Sequence, residues 1–339
     1  MMEYVIYADV PERNQHVRDF ISRSGGEYLG CVDRNPAKWD SDKKMYAPSF
    51  IAKYPRAKIV ITSFDIERIA QYIRQQGWMN EILVYPYWRT PFFVDAEHEP
   101  RSWGEANRER LPQIYDKRDS CNLAYIEELV RQRVMEFAPI RLQELWDYLP
   151  YERYFVDDAL ISREDDVTFV DCGAYDGDTI ADFQRNFGKR LKKVYAFEPN
   201  PQTYSSLQQN LRSMGLCELS ETFCCGVSDQ SGSVRFTQNK TMSFIDPNGT
   251  IEIAIRTLDD CVGEVTGSLY IKMDIEGFEI PALRGAARLI EKYHPYMAIC
   301  TYHKWDDYIE IPETIKEIRD DYEFYLRGGM HSICHAVPR

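Results

Sequence analysis

Hydrophobic positions along residues 1–88 switch between two periods. Short β-rich runs at "YVIYA" (4–8), "EYLGCVD" (27–33), "KIVITS" (58–63) and "EILVYPYW" (81–88) predict four strands. Helical patterns lie between them. "QHVRDFISRS" follows the first strand, and "DIERIAQYIRQQG" places Ile66, Ile69, Tyr72 and Ile73 on one face before Gly77 ends the run. Strands alternating with helices predict a small parallel sheet. From about 89 to 120 the pattern dissolves into an irregular, charged stretch, read as a linker. "NLAYIEELVRQRVMEFAPIRLQELWDYL" then resumes as one or two helices, broken or kinked at Pro139.

A second α/β unit begins near 167. Its predicted strands are "VTFVDCG", "KVYAFEP", "CELSETFCCGVSD", "GSVRFTQ", "IAIRTLDD", "SLYIKMDIEG", "YMAICTYHK" and a closing pair, "YEFYLR" and "SICHAVP", with Gly328 and Gly329 as the hairpin turn. The expected fold class is α/β, as two tandem Rossmann-like units at 1–88 and 151–339 joined by connecting residues 89–150. The halves echo each other. "GCVDRNP" follows the first strand of the first unit, and "YAFEPNP" follows that of the second at nearly the same remove. Both place an acid at the tip of the second strand, followed by Asn-Pro.

Charge and cysteine content narrow the partners. A net charge of −13 opposes an electrostatic grip on nucleic acid or an anionic membrane. The nine cysteines include no C-x-x-C pair, and adjacent Cys224 and Cys225 suit neither a disulfide framework nor a zinc site. Reduced thiols are the simpler reading. The start "MMEYVIYADV" lacks a basic n-region, and no apolar run reaches bilayer length. A cytoplasmic location without stable membrane insertion is expected.

The chemistry concentrates in "FVDCGAYDGDT" (169–179), a buried strand that breaks into a glycine turn and then a helix. Its glycines, Gly173 and Gly177, do not form G-x-G-x-x-G, and no P-loop lysine is present. Asp171, Asp176 and Asp178 would repel a phosphate held there. The ligand expected is therefore hydroxyl-bearing or cationic. S-adenosylmethionine fits, with an amine, a sulfonium and two free ribose hydroxyls, and Glu198 at the tip of the next strand is placed to accept both hydroxyls. A plainer reading leaves Asp178 or Thr179 as a helix cap.

Six runs, "TFVDCGAYDGDTI", "VYAFEPNPQTYSSLQQNL", "GVSDQSG", "RTLDD", "LYIKMDIEGFEIPALRGA" and "YHKWDDYIEIPETI…YEFYLR", together resemble the FkbM family of S-adenosylmethionine-dependent methyltransferases over about residues 150–339. The family mostly methylates hydroxyl groups, often on sugars of bacterial glycans or secondary metabolites. The resemblance implies a class I methyltransferase sheet closed by an antiparallel hairpin. It also implies that Asp171, Gly173, Tyr175, Asp178 and Thr179 form the methionine and ribose side of the pocket, that Glu198 takes the ribose, and that Ser228 and Asp229 border the adenine.

In "IKMDIEGFE" (271–279), Lys272, Asp274 and Glu276 alternate and are expected to project to one side at the sheet's ligand edge. Pro281 is expected at the first position of the following helix. Asp274 and Glu276 are read as bordering the sulfonium and the acceptor, and Glu279 as complementing the helix dipole. A hydroxyl acceptor must lose its proton as the new bond forms, and His303 in "CTYHK" is the expected base. Ser243, Lys272, Tyr302, Lys304 and Arg327 are the acceptor-side candidates. The chain lacks an H-x-H or similar ligand pair, which favours a metal-free site over a divalent ion held by Asp274, Glu276 and His303.

Two departures stand out. The family resemblance implies two histidines after "YLR", whereas Gly328 and Gly329 follow Arg327, with His331 and His335 out of register. Arg327 is left to bind an acceptor phosphate or carboxylate, or to form a surface pair. In the first unit, Pro11 and Glu12 stand where a dinucleotide fold keeps glycines, although Asp33 occupies the ribose-acid position. That unit is expected to serve packing, homodimer formation or acceptor positioning. The expected activity is O-methylation of a sugar or glycan precursor. N-methylation of an amino sugar or amino-acid substituent is the alternative within that chemistry. A non-catalytic binding protein is the alternative outside it.

Overall fold

In the computed structural model the described residues are 1–63, 65–85, 100–115, 139–142, 154–155, 165–239, 242–245, 251–327 and 332–339. The chain divides into two units. One is Met1–Thr90 with Ala96–Ala106 and Glu127–Pro150, and the other is Pro91–Asp95 with Asn107–Ile126 and Tyr151–Arg339. The 89–150 segment, expected as a linker, thus contributes to both. The helices expected over 122–149 lie outside the described residues except at 139–142, where Ile140–Arg141 form a strand instead, and the Gly328–Gly329 turn and His331 lie outside them.

The first unit forms β1 (Glu3–Tyr7), β2 (Glu27–Val32), β3 (Met45–Tyr46), β4 (Lys58–Ile61), β5 (Ile82–Val84) and β6 (Ile140–Arg141), in the order β3-β2-β1-β4-β5-β6. All neighbours are parallel except β6 on β5. β3 and β6 have two residues each, too few to show a period in the sequence. Helix α1 (Pro11–Arg23) has Pro11 at its start, and α2 (Ile66–Gln75) buries Ile66, Ile69, Ala70 and Ile73.

In the second unit, α3 (Leu111–Ile114) leads to Tyr115, whose buried hydroxyl donates to the Tyr308 carbonyl at 2.7 Å. The strands are β7 (Val167–Cys172), β8 (Leu191–Phe197), β9 (Ser220–Phe223), β10 (Gly226–Val227), β11 (Gly232–Asn239), β12 (Met242–Ile245), β13 (Ile251–Arg256), β14 (Ser268–Met273), β15 (Tyr296–Cys300), β16 (Tyr322–Arg327) and β17 (Ile333–Pro338). Seven form the main sheet, β16-β17-β15-β14-β7-β8-β9, in which β17 runs antiparallel to both neighbours. A second sheet, β10-β13-β11-β12, stands apart from it. The run "CELSETFCCGVSD" is therefore two strands in two sheets, separated at Cys224 and Cys225.

Helix α4 (Asp178–Phe187) follows β7, and α5 (Pro201–Ser213) follows β8. Ile180, Phe183 and Phe187 recur at helical spacing and are buried. Phe183 stacks on Phe169 of β7 at 4.1 Å between centroids and meets Tyr270 of β14 edge-on. This aromatic cluster anchors α4 to the sheet and so fixes the loop before it. Helices α6 (Leu258–Cys261), α7 (Glu279–Arg284), α8 (Ala287–Tyr293) and α9 (Asp307–Ile318) complete the unit. Pro281 is the third residue of α7, not its first, because Glu279 begins the helix.

The echo between the halves has a shared geometry. Asn35 and Asn200 each cap the turn that follows, with Pro36 and Pro201 in the first helical position. Asp33 accepts N–H groups from Asn35 at 2.8 Å and Asp9 at 3.0 Å. Glu198 accepts the equivalent pair, Asn200 at 2.9 Å and Tyr175 at 3.1 Å. Asp33 differs in also pairing with Lys38 at 3.2 Å.

Candidate active site

Order in the main sheet reverses between β7 and β14, and the crevice at their carboxyl ends is where an open α/β sheet receives a ligand. The loop after β7 is built to fit there. Gly173 donates to the Phe197 carbonyl at 3.0 Å and Ala174 does so at 2.9 Å, which folds the loop over the tip of β8. Gly173 has φ +77, and a Cβ on it would lie 2.0 Å from the Asp274 carbonyl oxygen. Its glycine identity is thus required by the β14 loop, a different reason from close approach to a ligand. Tyr175 also takes a left-handed conformation, φ 48, and is 62% exposed.

Glu198 is buried, with both carboxylate oxygens pinned by backbone N–H groups. Burial raises its carboxyl above the ordinary value against the opposing pull of those N–H groups. Asp178 accepts from the Thr179 N–H at 2.7 Å, so both serve the first turn of α4. Ser228 is buried and donates to Asp229 at 3.2 Å, beyond the end of β10.

Asp171 and Lys272 face each other across β7 and β14 at 3.0 Å, both buried. Lys272 also donates to the carbonyls of Gly173 at 2.7 Å and Cys172 at 3.3 Å. Its ammonium therefore secures the floor of the loop, which corrects its assignment to acceptor binding. Asp171 likewise lies beneath the loop, not on its surface. Burial pushes its carboxyl up to about 6 despite Lys272.

The expected projection of Lys272, Asp274 and Glu276 to one side fails, because β14 ends at Met273 and Glu276 takes φ 58. Asp274 accepts from Tyr302 at 2.7 Å and Tyr154 at 3.0 Å, one hydroxyl on each oxygen. Tyr154 has no motif to announce it, since it lies ahead of β7 in the chain.

Burial alone would raise the Asp274 carboxyl. Hydrogen bonding from His303, the charges of Lys272 and His303 and the Tyr302 hydroxyl outweigh it and hold the group well below the usual carboxylate range. Tyr302, expected to touch the acceptor, thus directs its hydroxyl to Asp274.

His303 is fully buried among carboxylates. Its Nδ1 lies 3.0 Å from Glu279 Oε1, and its Nε2 lies 3.4 Å from Asp274 and 3.6 Å from Glu276. Burial would lower the imidazole, but Glu279 and Asp274 overcome it and raise the ring well above its ordinary value. Enclosure among these carboxylates leaves neither ring nitrogen open to the crevice, so His303, the expected base, lies behind Asp274 and Glu276. Glu279, read as a dipole partner, also accepts the Ile275 N–H at 2.9 Å and so ties the β14 loop to His303.

Glu276 is 45% exposed and Asp274 28%. Burial pushes the Glu276 carboxyl up to about 7, with Asp274 and Glu279 adding to the rise and His303 opposing it. Lys304 is exposed and donates to the Gly277 carbonyl at 2.6 Å. Arg327 is buried at the ligand edge, opposite Ile333, and donates to the Leu326 carbonyl at 3.1 Å. A surface pair is therefore excluded for it. Ser243 lies on β12, and its side chain is outside the described residues.

The sheet order, its one reversed strand and the acid-edged loop at the switch point define a Rossmann-like methyltransferase fold. Residues 171–324 match the methyltransferase FkbM domain. Over 136 residues the chain is 28% identical to the hexuronic acid methyltransferase AglP of Haloferax volcanii. That stretch is 37% of this chain and 54% of AglP, so the chain spans about half the length of that relative. The crystal structure of methyltransferase FkbM from Methylobacillus flagellatus is similar in fold, with a TM-score of 0.65 at 20% identity over 99% of this chain and 90% of that one. Among the described residues, no helix is long and apolar enough to cross a membrane.

Proposed function

We propose that the second unit transfers a methyl group from S-adenosylmethionine to an oxygen of a sugar-containing acceptor. The observation that carries this reading is Glu198, whose two oxygens are aligned by the Tyr175 and Asn200 N–H groups at the tip of the second strand of the main sheet. A carboxylate so held retains lone pairs for two ribose hydroxyls. The acids of the loop and of Asp274 suit a donor that carries a sulfonium and an amine.

The donor supplies an electrophilic methyl group. The chain's own residues orient it and exclude water, and they accept the proton of the acceptor hydroxyl. The name of the Haloferax volcanii relative, a hexuronic acid methyltransferase, supports a sugar as acceptor. Isothermal titration with S-adenosylmethionine tests the reading. Binding is expected, weakened at least about tenfold by Glu198→Ala. Absence of binding to the unaltered chain would refute it. Mass spectrometry of glycans from cells with and without the protein would identify the acceptor by one added methyl group.

A further inference from the structure

Resting on that reading, we propose that Glu276 takes the proton from the acceptor and that His303 is a fixed imidazolium that positions Glu276 and Asp274. The oxygen–hydrogen bond of the acceptor breaks toward the Glu276 carboxylate as the oxygen gains the methyl group. The electron pair of the donor's carbon–sulfur bond stays on sulfur. No further reactant is needed.

Access separates the three candidates. His303 is fully buried, and both ring nitrogens face carboxylates. Asp274 is partly exposed, but a tyrosine hydroxyl occupies each of its oxygens. Glu276 is the most exposed of the three and lies 3.6 Å from the His303 ring. Its backbone is left-handed at φ 58, an uncommon conformation for glutamate, so the loop holds it out from the strand's line. The charged groups around it are His303 and Lys304 from the loop after β15, Asp274 from its own loop and Glu279 from the start of α7. Asp307 stands behind, with its carboxylate accepting the Lys304 N–H at 2.8 Å.

Burial raises the Glu276 carboxyl toward neutrality, where a base works best. Glu279 is the positioning residue one step further back. It holds His303 by one ring nitrogen and leaves the other for Asp274 and Glu276.

Nuclear magnetic resonance of the full chain tests this without an acceptor. With isotope-labelled histidine, one of the six rings is expected to remain doubly protonated at a pH well above the ordinary imidazole value. Its signal should disappear in His303→Gln. If that variant does not fold, Glu276→Gln, altered at a half-exposed side chain, should shift the same signal. With isotope-labelled glutamate, a carboxyl should titrate near neutrality and vanish in Glu276→Gln. A neutral His303 ring at about pH 7, or a Glu276 carboxyl titrating at an ordinary value of about 4, would overturn the proposal. Titration with S-adenosylmethionine keeps the two readings apart. Glu276→Gln should bind it within about threefold of the unaltered chain, whereas failure of both proteins to bind would count against the methyltransferase reading alone.

Discussion

Gly173 and Asp274 meet so closely that a Cβ on the glycine would lie 2.0 Å from the Asp274 carbonyl oxygen. The loops after two adjacent strands, β7 and β14, are thereby locked together at the crevice. Gly173→Ala should destabilise the protein by about 3 kcal/mol or more, because a steric clash adds to an unfavourable φ. Gly215→Ala has the same sign of φ but open space around it, and should cost about 1 kcal/mol. Urea unfolding of the two variants checks the contrast.

Lys272 and Asp171 form a buried pair, so removing one partner strands the other's charge. Lys272→Met should cost about 3–5 kcal/mol, and adding Asp171→Asn should recover part of the loss. Equal stability of the single and double variants would refute the pairing.

Each of Tyr154 and Tyr302 donates to one oxygen of Asp274. Tyr154→Phe and Tyr302→Phe should each lose about 1.5–3 kcal/mol, the range for hydrogen bonds to a charged group. The double variant should depart from the sum, since both act on one carboxylate. Unfolding midpoints of all three provide the measurement.

Stability should fall as pH rises from about 5 to about 8. Burial raises Asp171 to about 6, and Glu276 and Asp307 to about 7, so the folded state binds these protons more tightly than the unfolded chain. Their contribution is complete below about pH 4 and is lost as each titrates. His303, raised well above its ordinary value, adds stability that is present below about pH 6.5 and lost as pH rises through its folded value. Asp274, held low, acts in the opposite sense only in strong acid. Thermal midpoints across this range are the check, and a flat or rising profile would contradict the assignment of these groups.

Much of the fold could be read from the chain because its elements carry local signals. The apolar runs of β1, β4, β7 and β14 and the helical spacing of Ile66, Ile69 and Ile73 depend on burial patterns that repeat within a few residues. The repeated acid-x-Asn-Pro likewise encodes a strand tip and a helix cap in adjacent positions. Two-residue strands and the partition of 220–227 between two sheets had no such signal, because pairing partners lie far away in the chain.

Residue order alone places acids at the ends of β7, β8 and β14. What each group does is set by packing in three dimensions. Charge state depends on neighbours brought in from distant segments, and His303 meets Glu279, Asp274 and Glu276 only when the loops after β14 and β15 converge. The same convergence leaves Glu276 exposed, while pairing of β7 with β14 buries Lys272 against Asp171. A side chain's solvation is fixed by what packs across from it, not by its own residue type, and so no local pattern could announce it.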